Sequence, residues 1–200
     1  MGLASHAQSP VLNKYTNDFS EIENAYYKDT DNFLNQFEGT WVFRDANKTI
    51  RFRFVKKQMF YYNDVISSYG DFLIGEVQYI ENGIEKLNSL NNLNVNHTDI
   101  FKYNIVDMMK VDYDYYPACT ECPHDVARLL MRYDEATNDD AMFTRDLFIA
   151  RVTENGIAKL KIQFGVNGGP SGMSKSNYYV DSTTRDFTVP FGNYTLVKED

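Results

Sequence analysis

Apolar and polar residues alternate along much of this 200-residue chain, the signature of strands with one buried face. From Gly39 onward, Trp41 and Phe43 share a face before a tight turn at Asp45-Ala46-Asn47. Ile50, Phe52 and Phe54 then alternate with Arg51 and Arg53. After a break at Lys56-Lys57, the aromatic stretch Met59-Phe60-Tyr61-Tyr62 predicts another strand. Phe72 to Ile80 predicts a longer one, with Gly75 as a bulge or bend. Asn82-Gly83 and Asn155-Gly156 each stand between apolar runs, where a type I′ hairpin turn needs two residues tolerant of positive φ. The heptamers 81–87 and 154–160 are similar, as two like hairpins in one meander would be.

Ile100 to Val106, Met108 to Tyr115, Arg128 to Tyr133, Leu147 to Val152, Ala158 to Phe164 and Phe187 to Val197 supply the remaining strands. Arg128 to Tyr133 also has helical spacing, and its β surroundings decide for strand. Residues 88–98 are Asn-rich and Gly165 to Ser176 are rich in Gly and Ser, so both read as loops. A short helical turn over Asp31 to Phe37 leads into the first strand. The pattern predicts an all-β domain over residues 31–200: an antiparallel up-and-down meander of eight to ten strands that closes into a barrel, because closure removes exposed edges. Residues 9–30 are polar and aperiodic. Residues 1–30 therefore read as a leader remnant followed by a polar arm packed loosely on the domain.

Composition supports this picture. The 15 Tyr and 14 Phe suit the half-buried surface of a sheet. A net charge of −8 argues against nucleic acid and anionic membrane surfaces, which require a basic face. No apolar run approaches the ~20 residues of a membrane span. Ser5-His6-Ala7 places small residues as at the end of a secretory leader, which predicts an extracytoplasmic protein (periplasmic, outer-surface or secreted), with a lipid anchor compatible with that location.

The stretch Asp31-Asn32-Phe33-Leu34-Asn35-Gln36-Phe37-Glu38-Gly39-Thr40-Trp41 resembles the opening of lipocalins and fatty-acid-binding proteins. In that signature an aromatic residue, a Gly and a Trp alternate as the chain enters the first strand; Phe37, Gly39 and Trp41 stand at those positions. The resemblance implies a lipocalin-like (calycin-type) barrel, with Gly39 turning the strand under the floor and Trp41 plugging the closed end. It also implies a basic residue over that Trp, for which Arg185 and Lys198 are the candidates. The chain is similar in style to uncharacterised families of small exported or lipid-anchored β proteins of Gram-negative bacteria, a likeness that implies no activity.

Cys119-Thr120-Glu121-Cys122 is the one cysteine pair. Redox chemistry would need a strand–helix context, of which Pro123 and the helical spacing over 126–133 offer a part, but no βαβ pattern surrounds the pair. A zinc site would have to recruit His124 with His97 or Asp125. The simplest reading is a local disulfide, closing a ring small enough to contribute only about 2 kcal/mol. The segment Gly169 to Ser176 fails as a phosphate loop at Ser174 and as a nucleophile elbow at Met173. Asp112 and Asp114 would share a strand face, while Asp134-Glu135 and Asp139-Asp140 form an acidic loop; solvation explains them more simply than calcium or acid–base chemistry. No catalytic constellation, cofactor or metal is expected.

The aromatic stripe Trp41, Phe43, Phe52, Phe54, Phe72 and Tyr79 is either packed core or the lining of a cavity. Two functions follow. One is a non-enzymatic binding protein holding a small apolar or amphipathic ligand in the barrel. The other is a protein-interaction or inhibitor module with a filled barrel and a contact surface of Tyr61, Tyr62, Tyr113, Tyr115, Tyr116, Tyr178 and Tyr179, since Tyr is enriched at interfaces.

Overall fold

The computed structural model describes residues 10–15, 22–63, 66–135, 145–165 and 187–199. Among these, eleven strands form one sheet: β1 (Val11–Asn13), β2 (Tyr26–Lys28), β3 (Gly39–Arg44), β4 (Lys48–Asn63), β5 (Ser67–Glu81), β6 (Ile84–Asn88), β7 (Ile105–Val111), β8 (Arg128–Tyr133), β9 (Arg145–Glu154), β10 (Ile157–Phe164) and β11 (Gly192–Glu199). Eight of them, β3, β4, β5, β7, β8, β9, β10 and β11, close an antiparallel up-and-down barrel. The ring shuts where Val197 pairs with Val42 on β3 and where Ile74 and Gly75 of β5 pair with Val106 and Ile105 of β7. β6 forms a hairpin on β5 through Asn82-Gly83, whose φ values of 51° and 76° are those the turn demands.

Alternation sets the core as the pattern predicted. Trp41 lies opposite Phe52 and Phe43 opposite Ile50, while Val77 and Tyr79 continue these rows on β5. All six belong to or pack on one cluster with Leu129, Met131, Ile149, Leu160 and Leu196. Phe54 stands between Gly39 on one side and Gly75 on the other, so its ring fills the space two missing side chains leave.

Several expectations are corrected. The arm is not loosely packed: β1 and β2 pair in parallel and β2 adds in parallel to β5. β4 runs unbroken through Lys56-Lys57, and its irregularity falls between Lys57 and Phe60, where Met59 takes a φ of 50°. Gly75 is not a bulge; it stays in register with Phe54 because only a residue without Cβ fits there. Ile100 to Val106 divides into a 3₁₀ turn over Ile100–Lys102 and the start of β7. Residues 112–115 turn instead of continuing that strand, with Tyr115 N–H donating to the Asp112 carbonyl. The Asn-rich segment contains a 3₁₀ turn, Leu90–Asn94. β11 begins at Gly192, not Phe187. No helix among the described residues is long and apolar enough to cross a membrane.

Candidate functional site

A cavity of about 290 Å³ opens on the barrel's flank, where β2 and the lower half of β5 meet the 100–102 turn and β7. Its walls carry Ile22, Tyr62, Ile66, Tyr69, Phe72, Phe101 and Met108, and Lys14, Asp71 and Asp107 bring charge to it. The rings are ordered against one another. Tyr62 meets Phe101 edge-on at 6.3 Å between centroids, and Phe72 meets Phe60 at 6.1 Å, arrangements that add to plain area burial.

Asp71 organises this region. Its Oδ1 accepts from the Tyr26 hydroxyl at 2.6 Å and from Met59 N–H at 3.0 Å, and its Oδ2 accepts from Asp29 N–H at 3.1 Å. The carboxylate thus satisfies the backbone donor that the β4 bulge exposes. Burial, foremost, and the Asp71 hydrogen bond push the Tyr26 hydroxyl up to about 12. Asp29, also buried, accepts from Phe33 and Leu34 N–H at 2.8 and 3.0 Å and so caps the 3₁₀ turn over Phe33–Phe37. Lys56 neutralises it at 2.8 Å.

Lys14 supplies the remaining cation. Its Nζ lies 2.6 Å from Asp107 Oδ2, donates to the Asp71 carbonyl and stands 4.4 Å from the centre of the Phe72 ring. Asp107 Oδ1 accepts from Leu73 N–H at 2.7 Å. Burial raises the Asp107 carboxyl above the ordinary carboxylate range, opposed by the Lys14 ammonium. Tyr15, packed edge-on to Phe33, has its hydroxyl pushed far up by burial and then by Asp107, Asp29 and Asp71. The cavity thus sets the Lys14–Asp107 ion pair and the hydrogen-bonded Asp71 carboxylate beside an aromatic wall.

The predicted stripe divides between locations. Trp41, Phe52, Phe54 and Tyr79 are buried in the barrel core and Phe43 packs against it. Phe72 does not share their face. It belongs with Ile74, Ile100, Tyr103 and Val106 outside the barrel wall and is the one stripe residue lining the flank cavity. Of the residues that carry the resemblance, Phe37 and Trp41 are buried and Gly39 opens β3, with Trp41 Nε1 donating to the Phe37 carbonyl at 2.8 Å. Lys198 stands over the indole at 5.5 Å, and Arg151, unforeseen, at 5.8 Å; Arg185 lies outside the described residues.

Cys119 and Cys122 form a disulfide. His124 stacks on Tyr113 and His97 Nε2 meets Asn92 Oδ1 at 2.7 Å. Among the described residues no group of three His, Cys, Asp or Glu is placed to hold a metal. Asp112 and Asp114 are exposed in the 112–115 turn. Glu135 instead is buried, accepting from Tyr133 Oη and from Thr188 and Val189 N–H. Of the tyrosine surface, Tyr61 and Tyr116 are exposed, while Tyr62, Tyr113 and Tyr115 are half-buried. Tyr178, Tyr179, Asp139, Asp140, Ser5, His6, Ala7 and the loop beyond Gly165 lie outside the described residues.

Lys14, Asp71 and Asp107 escaped the sequence reading, although one signal pointed to two of them. Asp71 precedes Phe-Leu-Ile and Asp107 follows Ile-Val, and an acid inside an apolar run requires a partner.

The chain matches over residues 1–199 the model of a family described as "Family of unknown function (DUF6705)". No curated protein matches it, and no solved structure does.

Proposed function

This chain belongs to the DUF6705 family, whose function is unknown, and from that premise we propose that it is an exported, non-enzymatic protein that binds a small apolar or amphipathic molecule. The flank cavity carries the reading: about 290 Å³ walled by Tyr62, Tyr69, Phe72 and Phe101, at the small end of ligand-site volumes. The ligand's apolar body lies against these rings, and its polar end meets the Lys14–Asp107 pair. Both oxygens of Asp71 and of Asp29 are committed to donors, which suits positioning better than proton transfer. The Cys119–Cys122 disulfide supports an oxidising, extracytoplasmic location.

Native mass spectrometry of freshly purified protein, compared with its denatured mass, tests this. The expected result is extra mass lost on denaturation, or, for protein stripped of ligand, saturable binding of an anilinonaphthalene fluorophore. Ser68→Trp, which fills the cavity, abolishes either signal. A native mass equal to the disulfide-bonded chain, with fluorophore binding absent or unchanged in Ser68→Trp, sinks the reading.

A second reading, the protein-interaction module, is favoured by the long β4–β5 ribbon. There Met59 and Tyr61 are 56% and 47% exposed, and Tyr61 packs against Tyr69 at 5.4 Å. Exposed aromatic anchors of this kind form contact centres between proteins.

A further inference from the structure

Beside Trp41 lies a second, chemically different hollow, open to solvent and of about 450 Å³, lined by Asn35, Gln36, Trp41, Arg151, Thr153 and Lys198. Lys198 lies directly opposite Trp41 across the β11–β3 pair. Gly39 makes its position feasible: φ there is +115°, and a Cβ would fall 2.8 Å from Lys198 Cε. Arg151 reaches the same indole from β9, two residues beyond core Ile149, and its Nη1 donates to the Val152 carbonyl and to Thr153 Oγ1, the latter at 3.2 Å. Asn35 Oδ1 accepts from Lys56 Nζ at 2.8 Å, which leaves its amide nitrogen as a donor.

Among the described residues the lining therefore offers an ammonium, a guanidinium, two amides and a hydroxyl, and no carboxylate. Cations on the neighbouring strands are matched by acids of β9 and β11: Lys159 and Lys161 by Glu154, and Arg44 and Arg51 by Glu199. Lys198 and Arg151 form no ion pair among the described residues. Among the described residues these two like charges share one mouth with no carboxylate opposite, only the face of the Trp41 ring.

We propose that this hollow is an oxyanion site, taking the carboxylate or phosphate group of a small molecule between Lys198 and Arg151 above the buried Trp41. The planar guanidinium, its Nη1 held by the Val152 carbonyl and Thr153, offers its Nε and Nη2 as a two-pronged donor, and the ammonium and the Asn35 amide complete the set. The site is distinct from the flank cavity in lining and in ligand chemistry.

Trp41 is the sole tryptophan, so its emission reports on the site directly. The native protein is titrated with inorganic phosphate in one arm and acetate in another, ionic strength being held constant with chloride. A saturable change in Trp41 emission is expected in at least one arm, and the arm that responds names the group recognised. Lys198→Met weakens the response at least tenfold. Asn35→Asp weakens it similarly by placing a negative charge in the mouth; it lies on an exposed turn and keeps an acceptor for Lys56, so the fold is preserved. Emission that follows chloride alone in both arms overturns the proposal. So does a saturable response that Asn35→Asp leaves unchanged, because the anion would then bind elsewhere.

Discussion

Phe54 on β4 and Gly75 on β5 are directly opposed, and a Cβ at Gly75 would stand 2.6 Å from Phe54 Cδ1 and 3.3 Å from Ile105 Cβ. Neither neighbour is a flexible chain end: the ring is buried, and Ile105 is the residue through which β7 closes onto β5. Gly75→Ala is therefore expected to destabilise the protein by about 1–3 kcal/mol, the usual cost of overpacking. Phe54→Leu made alone leaves a void, whereas Phe54→Leu with Gly75→Ala recovers part of the loss. Urea denaturation of the two single variants and the double variant measures this, and strictly additive losses would show that the two positions do not share space.

The Lys14–Asp107 pair ties β1 to β7 across the flank cavity. Removing one partner of a buried pair leaves an uncompensated charge, so Lys14→Met should cost roughly 3–5 kcal/mol at neutral pH. The pH dependence follows from the raised Asp107 carboxyl. A carboxyl whose folded pKa exceeds its unfolded value contributes stability below the unfolded value and loses it as pH rises through the folded one. Lys14→Met raises that folded pKa further, so its deficit should shrink on acidification towards pH ~4. Adding Asp107→Asn should remove this pH dependence. Urea midpoints across a pH series decide it; a deficit constant with pH would refute the assignment to Asp107.

The barrel was legible because its strands alternate and its hairpins carry Asn-Gly; Ile50, Phe52 and Phe54 needed nothing more. The misplacement of Phe72 has a simple cause. It stands seven residues before Tyr79, an odd spacing, so the two share a face only if a bulge intervenes. The structure puts the bulge at Met59 instead, where Asp71 from the next strand receives the freed N–H, a contact that no local pattern announces. The strands of the arm were hidden for a similar reason: β1 and β2 are three residues each, too short for periodicity, and are held by the long-range partners Asp71 and Asp107. The outer layer of the barrel wall was equally concealed, since Ile74 and Val106 extend apolar runs that look like strands buried on both faces.

Glu199 fastens the seam where β11 meets β3 and β4, with Arg51 Nε at 2.7 Å from Oε2 and Arg44 Nη2 at 2.6 Å from Oε1. The Arg51 hydrogen bond, foremost, holds its carboxyl down to about 2, against partial burial and with Arg44 adding. A depressed carboxyl contributes stability above its unfolded value and loses it as pH falls towards the folded one. Wild type should therefore exceed Glu199→Gln in thermal midpoint at neutral pH, with the difference vanishing between pH ~4.5 and ~2. Midpoints measured across that range check the sign, and a gap that widens in acid would reverse the argument.

Arg128 is buried at the start of β8 and gathers the loop that follows β7. Its Nη1 donates to the Pro117 carbonyl at 2.6 Å and to Gln163 Oε1 at 2.9 Å; its Nη2 donates to the carbonyls of Asp112 and Tyr113 at 3.2 Å and to that of Tyr115. The guanidinium also lies over Phe148 at 5.3 Å. One planar fork thus satisfies carbonyls that would otherwise be left without donors beneath the loop. Arg128→Met should destabilise the protein by about 1–3 kcal/mol, the cost of buried polar groups left unpaired. Arg128→Lys should recover little, because a single ammonium does not span the same acceptors. The Cys119–Cys122 disulfide sits in this loop but closes a ring of only four residues, so replacing both cysteines by serine should cost about 2 kcal/mol or less. Hydrogen exchange over residues 112–127 separates the two anchors. Protection there is expected to fall in Arg128→Met and to persist largely in the double serine variant, because the arginine holds the loop to the sheet whereas the disulfide holds it only to itself. The opposite ranking would make the disulfide the anchor and the arginine a bystander.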